Sequence, residues 1–138
     1  MGEKKKIALV AHDSQKEAMT AWAKRHEYHL SQHRLWATGT TGARIAEKTK
    51  LELTCLLSGP KGGDQQLGAM IAEKKLDILV FFTDPLSALP HDVDVKALMR
   101  ISTLYQIALA CNEMTADYII TSTLINRGPS YGKVLEVK

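Results

Sequence analysis

The sequence predicts an α/β fold: a three-layer α/β/α domain with a mainly parallel five-stranded sheet. Three observations predict it. Near-continuous apolar runs such as Ile7–Ala11 and Leu76–Phe82 have the length of strands buried on both faces. Segments of helical periodicity stand between them, as right-handed crossovers require. Polar, glycine-containing clusters follow the strands, where open parallel sheets place their ligands.

Lys6–Ala11 is the first strand. Asp13-Ser14 then opens a helix, with Ser14 and Glu17 spaced as a capping box. Ala18, Met19, Trp22, Ala23 and His26 recur at helical spacing and predict its buried stripe. Arg34–Ala37 is a second strand, Thr38–Gly42 a loop and Ala43–Lys48 a short helix. Leu51–Leu57 is a third strand. Past a glycine-rich loop, Gln65–Lys75 is a helix and Leu76–Phe82 the most apolar strand. Asp84-Pro85 leads a loop to Asp92. Val93–Tyr105 is helical, Ile107–Ala110 a fifth strand and Thr115–Ile120 a last helix.

The 138 residues fit one domain spanning 1–138, with residues 1–5 as a flexible N-terminus and 122–138 as a less regular tail. A composition of 45% hydrophobic and 24% charged residues is globular and argues against disorder or a coiled coil. The net charge of +3 is small, and Lys4, Lys5 and Lys6 supply part of it as a solvated tail. No basic stripe with interleaved aromatics occurs, which disfavours nucleic acid. The early apolar run Ile7–Ala11 is too short for a signal core or a membrane span. Cys55 and Cys111 lie in apolar segments without CxxC spacing and read as reduced, buried thiols of a cytoplasmic protein. His26, His29 and His33 have no evident fourth ligand and no HExxH, so they read as solvated histidines and no metal is expected. Met70 and Met99 fall in helical stripes and read as core.

Four polar clusters fall on one rim of the sheet. Thr38-Gly39-Thr40-Thr41-Gly42 offers three hydroxyls and bare amides at a helix start, a neutral phosphate cradle or simply an N-cap and turn. It is neither a P-loop nor a dinucleotide fingerprint. Ser58-Gly59-Pro60-Lys61-Gly62-Gly63-Asp64 brings backbone donors beside a carboxylate. Asp64 there suits a general base or an N-cap. His12-Asp13, with Lys16 one turn on, can meet a substrate and its phosphate, or can cap and solvate the helix. His91 and Asp94 can form an oriented imidazole, or decorate a helix N-terminus. Asp84-Pro85 structures the rim, or Asp84 holds a positive partner.

In order along the chain, Ile7–Asp13, Ala37–Gly42, SGPxGGDQQ at Ser58–Gln66, Asp84-Pro85 and PHDxD at Pro90–Asp94 closely resemble the methylglyoxal synthase family. The resemblance runs from about residue 6 to 121 and fades after Ser122. It implies a Rossmann-like, methylglyoxal synthase-like fold. It also implies conversion of dihydroxyacetone phosphate to methylglyoxal and inorganic phosphate, with no metal or organic cofactor, in a homohexamer. Carried over, Asp64 is the catalytic base, His91 the proton-shuttling histidine and Asp94 its carboxylate partner. His12 contacts substrate, with Asp13 beside it. Lys16, Thr38, Thr40, Thr41 and Ser58 bind phosphate within the Thr38–Gly39–Thr40–Thr41 turn and its neighbours, and the Gly59 amide faces the ligand. An effector-binding module, such as the one in carbamoyl phosphate synthetase, and a phosphosugar isomerase are the alternatives. The Asp64, His91 and Asp94 set separates an enzyme from the former, and product analysis from the latter.

Overall fold

The computed structural model describes residues 4–86 and 92–126, with the backbone alone described for 92–94. Five strands form one sheet: β1 (Lys6–Ala11), β2 (Arg34–Thr38), β3 (Leu53–Leu56), β4 (Ile78–Phe82) and β5 (Ala108–Ala110). Their order is β3-β2-β1-β4-β5, and every pairing is parallel. The most apolar strands, β1 and β4, sit beside each other near the middle, in register from Ile7 opposite Ile78 to Ala11 opposite Phe82. Only such runs can be buried on both faces without stranding polar side chains.

Strand alternation divides the core in two. Ile7, Leu9 and Ala11 of β1 face a layer with Met19, Trp22 and Ala23 of α1 (Lys16–Arg25). Ile45 of α3 (Gly39–Lys48) and Ala116 and Ile120 of α6 (Glu113–Thr121) complete that layer, and the short α2 (Glu27–Leu30) contributes Leu30. Ala8 and Val10 face the opposite layer, with Leu67 and Ile71 of α4 (Gly63–Ala72) and Leu98 of α5 (Asp92–Leu104). Complete burial of a side chain such as Leu79 contributes about 1.5–3 kcal/mol.

Several element ends differ from the sequence expectation, for local reasons. Helix α4 stops at Ala72 instead of Lys75, because Lys74 takes a left-handed conformation (φ 61°). The amides of Lys74 and Lys75 then bond to the carbonyls of Ile71 and Met70, which closes the helix without a glycine. Gln106 (φ 62°) ends α5 at Leu104 in the same way. The expected capping box at Ser14 does not form. Asp13–Gln15 is a 3-10 turn, Gln15 precedes α1, and neither turn nor helix has a side-chain cap. Helix α6 is capped by Asn112, whose Oδ1 accepts from the Thr115 amide at 2.9 Å. The last described residues, Thr123–Asn126, form a 3-10 turn that buries Ile125 in the first core layer.

Burial also corrects some expectations. Cys55 is exposed and Cys111 half-buried, because β3 is an edge strand and Cys111 lies just beyond β5. Partial burial pushes the Cys111 thiol up. Met70 packs against the second core layer, but Met99 is 44% exposed on the outer side of α5. Only His29 of the three histidines is exposed. His26 follows the last residue of α1 at half-burial, its ring tilted 48° against that of Trp22, and its Nε2 meets Asp117 Oδ1 at 2.8 Å. The Trp22 indole N–H donates to the same oxygen at 2.9 Å, which ties α1 to α6. Lys5 and Lys6 are not a free tail. Lys6 begins β1, and the Lys5 carbonyl accepts from the Arg34 amide.

At the amino-terminal edge of the sheet, His33 Nδ1 accepts from the Lys5 amide at 3.0 Å, which requires a neutral ring nitrogen. Burial first, then the nearby Lys5 and His29 charges, push His33 below the ordinary histidine value. The unfolded chain therefore takes up this proton before the folded one as pH falls. Stability from the neutral ring is complete above about pH 6.5 and is lost as pH drops below that value towards the folded-state pKa. The gap in urea midpoint between wild type and His33→Asn is expected to narrow between about pH 7.5 and about pH 5.5. A gap constant with pH contradicts this account.

Candidate active site

Because β1 connects outward to β2 and the chain later returns to β4 on its other side, the carboxyl ends of β1 and β4 flank a switch point of the sheet. A cleft of about 270 Å³ opens on that rim. The ends of three successive strands supply its polar wall: His12, Asp13 and Lys16 after β1, Thr38–Thr41 after β2, and Ser58, Gly59 and Asp64 after β3. Apart from His91 and Asp94, every site residue expected from the sequence therefore lines one cleft. Val10, Phe81 and Val95 give it an apolar floor that the motifs did not single out.

The threonine segment is not a loop. Thr38 is extended (φ −81°, ψ 143°) and immediately precedes α3, which runs from Gly39. Gly39, Thr40 and Thr41 are thus the first turn of a ten-residue helix, where amides have no partner within the helix and the helix dipole is positive. Thr38 and Thr41 are buried, at 5% and 1% exposure. The Thr41 hydroxyl has no hydrogen-bond partner among the described residues. A buried, unsatisfied hydroxyl costs about 1–3 kcal/mol unless something completes it. Lys16 is drawn in from solvent, with its side chain 18% exposed. Its Nζ pairs with Asp13 Oδ1 at 2.7 Å and donates to Thr40 Oγ1.

The β3–α4 turn is built by close approach. Gly59–Lys61 forms a 3-10 turn, and Gly62 follows in a left-handed conformation (φ 114°). A side chain at Gly63 would place its Cβ 2.1 Å from the Leu57 carbonyl oxygen, so the start of α4 can lie against the strand end only without one. Asp64 falls in the first turn of α4, and Gly62, not Asp64, holds the N-cap position. The Asp64 carboxylate lies over Gly59: a Cβ built there would be 3.5 Å from Oδ1. Gly39 (φ 33°) packs against Ser58, at 2.8 Å from its own ideal Cβ to that of the serine, and so joins the two turns.

His12 is half-buried, edge-on to Phe81 with ring centroids 5.2 Å apart. Its Nδ1 accepts from the Asp84 amide at 2.8 Å. A ring nitrogen that accepts carries no proton, so the neutral imidazole holds its hydrogen on Nε2 and presents a donor. Asp84 structures the rim, as its position implied. Its Oδ1 accepts from the Leu86 amide at 3.0 Å. His91 lies outside the described residues. Asp94 is described by backbone alone, in the first turn of α5. Among the described residues, no cluster of three metal-ligating side chains occurs, and no helix is long and apolar enough to cross a membrane.

Known proteins share this sequence pattern and fold. The MGS-like domain family matches residues 18–111. A methylglyoxal synthase of Leptospira interrogans is 54% identical over 131 residues, covering 95% of this chain and 87% of its own. One of Proteus mirabilis is 54% identical over 127 residues, covering 92% and 84%. The crystal structure of methylglyoxal synthase from Elizabethkingia anophelis NUHP1 superposes with a TM-score of 0.86 at 43% identity, covering 100% of this chain and 94% of that one. The chain belongs to the methylglyoxal synthase family of MGS-like domains.

Proposed function

We propose that this protein converts dihydroxyacetone phosphate to methylglyoxal and inorganic phosphate, as a carbon–oxygen lyase acting on a phosphate ester. The observation that carries the reading is Thr41. Its hydroxyl is buried and unpartnered at a helix N-terminus, in the cleft that also holds Lys16 and Asp64. A phosphate dianion supplies the missing acceptor. The α3 amides, Thr38, Thr40, Ser58 and Lys16 complete its cradle.

The chemistry then proceeds from the anchored phosphate. Asp64 removes a proton from the hydroxyl-bearing carbon beside the ketone, and the electron pair moves onto the carbonyl oxygen as an enediolate. A positioned base contributes about 10²–10⁴-fold. His12 Nε2–H and the Gly59 amide donate to that oxygen, and one such donor is worth about 3–4 kcal/mol. His91, held by Asp94, moves the remaining protons. The enediolate pushes out phosphate by breaking the carbon–oxygen bond, and the enol left behind tautomerises to methylglyoxal. Asp13 restrains Lys16 beside the cradle.

The rest of the proposal is coarser. Residues 1–138 act as one domain within a homohexamer, and inorganic phosphate, as product, competes for the same cradle. Two free cysteines accord with a cytoplasmic setting.

Incubation with dihydroxyacetone phosphate in the presence of a chelator is expected to release free phosphate and a dicarbonyl in equal amounts. An aldose phosphate in place of both would make the protein an isomerase. Asp64→Asn is expected to lose about 10²–10⁴-fold in kcat while still binding inorganic phosphate, and near-normal phosphate release by this variant would refute the base assignment. Thr41→Val is expected to move two quantities in opposite directions. The free protein holds or gains stability in urea, because an unpartnered hydroxyl is gone. Phosphate affinity falls about tenfold or more, the worth of a hydrogen bond to a charged group. Unchanged affinity would remove Thr41 from the cradle.

A further inference from the structure

We propose that Ser14 is a positioning residue for this reaction: acting through Asp84, it holds His12 in the form that donates from Nε2. The inference rests on the reading of His12 as a donor to the substrate oxygen. Three contacts carry it. The Ser14 hydroxyl donates to Asp84 Oδ2 at 2.7 Å, across the crevice between the β1 and β4 ends. The Asp84 amide donates to His12 Nδ1 at 2.8 Å. Asp84 Oδ1 accepts from the Leu86 amide at 3.0 Å, which closes the turn around Pro85.

Asp84 is therefore a hub with its carboxylate held on two sides, and its backbone hydrogen is aimed at the histidine. Ser14 is two residues beyond His12 on the same loop, so the clasp leaves and returns to one short segment. Nothing else in the local sequence explains the serine. The expected capping role is unused: Asp13–Gln15 and α1 have no side-chain cap, and Ser14 points its hydroxyl across the rim instead. Pro85 restricts the backbone of Asp84 to extended geometry but does not choose where its amide points around the strand end. The Ser14 contact adds that choice. If the amide turns away, Nδ1 can take the proton, Nε2 becomes an acceptor, and the ring can no longer stabilise a developing oxyanion.

Nitrogen-15 spectra of imidazole-labelled protein, with the His12 signals assigned by their loss in His12→Gln, read the tautomer without substrate. Wild type is expected to show a proton-bearing Nε2 and a lone-pair Nδ1. Ser14→Ala is expected to shift both signals towards the average of the two tautomers, and Ser14→Thr to restore them. In parallel, kcat for Ser14→Ala falls about three- to tenfold at unchanged KM, the worth of one ordinary hydrogen bond. Asp84→Ala, which removes both carboxylate contacts, gives the larger shift. Its retained binding of inorganic phosphate shows that the cleft is still formed. Wild-type nitrogen signals in Ser14→Ala, whatever Asp84→Ala shows, would overturn the proposal. The spectra do not require turnover, so failure of the lyase assignment would leave this result readable on its own.

Discussion

The parallel pairing of β1 with β4 is the constraint on which the site depends. Five residues of β1, Ile7 to Ala11, match Ile78 to Phe82 one for one. That register fixes the ends of the two strands side by side, and the amide of His12 continues the ladder to the Phe82 carbonyl at 3.1 Å. A shift of one residue would turn Ile7, Leu9 and Ala11 to the wrong helical layer. The two apolar layers therefore enforce the register, and the register delivers His12 opposite Asp84. Core packing and site geometry are one arrangement seen at two ends of the same strands.

Around that centre the protein keeps polar groups incompletely satisfied where a folded chain ordinarily would not. Buried Thr41 has no partner among the described residues, and the first-turn amides of α3 stand at the cleft. Elsewhere the fold satisfies most of its polar groups, although the buried Ser102 hydroxyl of α5 also has no partner among the described residues. The Asp117 carboxylate serves both Trp22 and His26, and α4 and α5 close their ends with left-handed residues. Burial raises Asp117, but these two donors outweigh it and hold the carboxyl below the usual range. What sets Thr41 apart is that its unpaired hydroxyl coincides with a helix N-terminus and a cleft, a combination that suits an anion.

The strands and the rim were legible in the sequence because both rest on local signals. Five apolar runs appear as five strands, and glycine, threonine and aspartate clusters mark their ends. What was not legible depends on partners distant in sequence. The Thr38–Gly42 segment reads as a loop from its composition, yet Gly39 starts a helix because it must lie against Ser58. Ser14 and Glu17 have the spacing of a capping box, but the serine finds Asp84 seventy residues away. Cys55 looks buried from its apolar neighbours, and only the sheet order reveals that its strand is an edge. The left-handed Lys74 and Gln106 carry no sequence mark, since glycine is the residue usually read as a helix stop.

The close contact of Gly39 with Ser58 matters for the proposed choice between elimination and isomerisation. Both reactions pass through the same enediolate and differ in the angle at which the carbon–oxygen bond to phosphate stands to its plane. In the proposed mechanism the phosphate is held mainly from the β2–α3 turn and the proton is taken from the β3–α4 turn. The angle is thus set by how these two turns sit against each other. Gly39 brings them to contact at Ser58, and Gly63 lets α4 start against the Leu57 carbonyl, both closer than a side chain at either position would allow. A flexible join would let the bond sample both geometries. A Cβ at Gly39 would meet Ser58 at 2.8 Å and force the two turns apart, and with them the angle at which an ester anchored on one turn faces a base on the other.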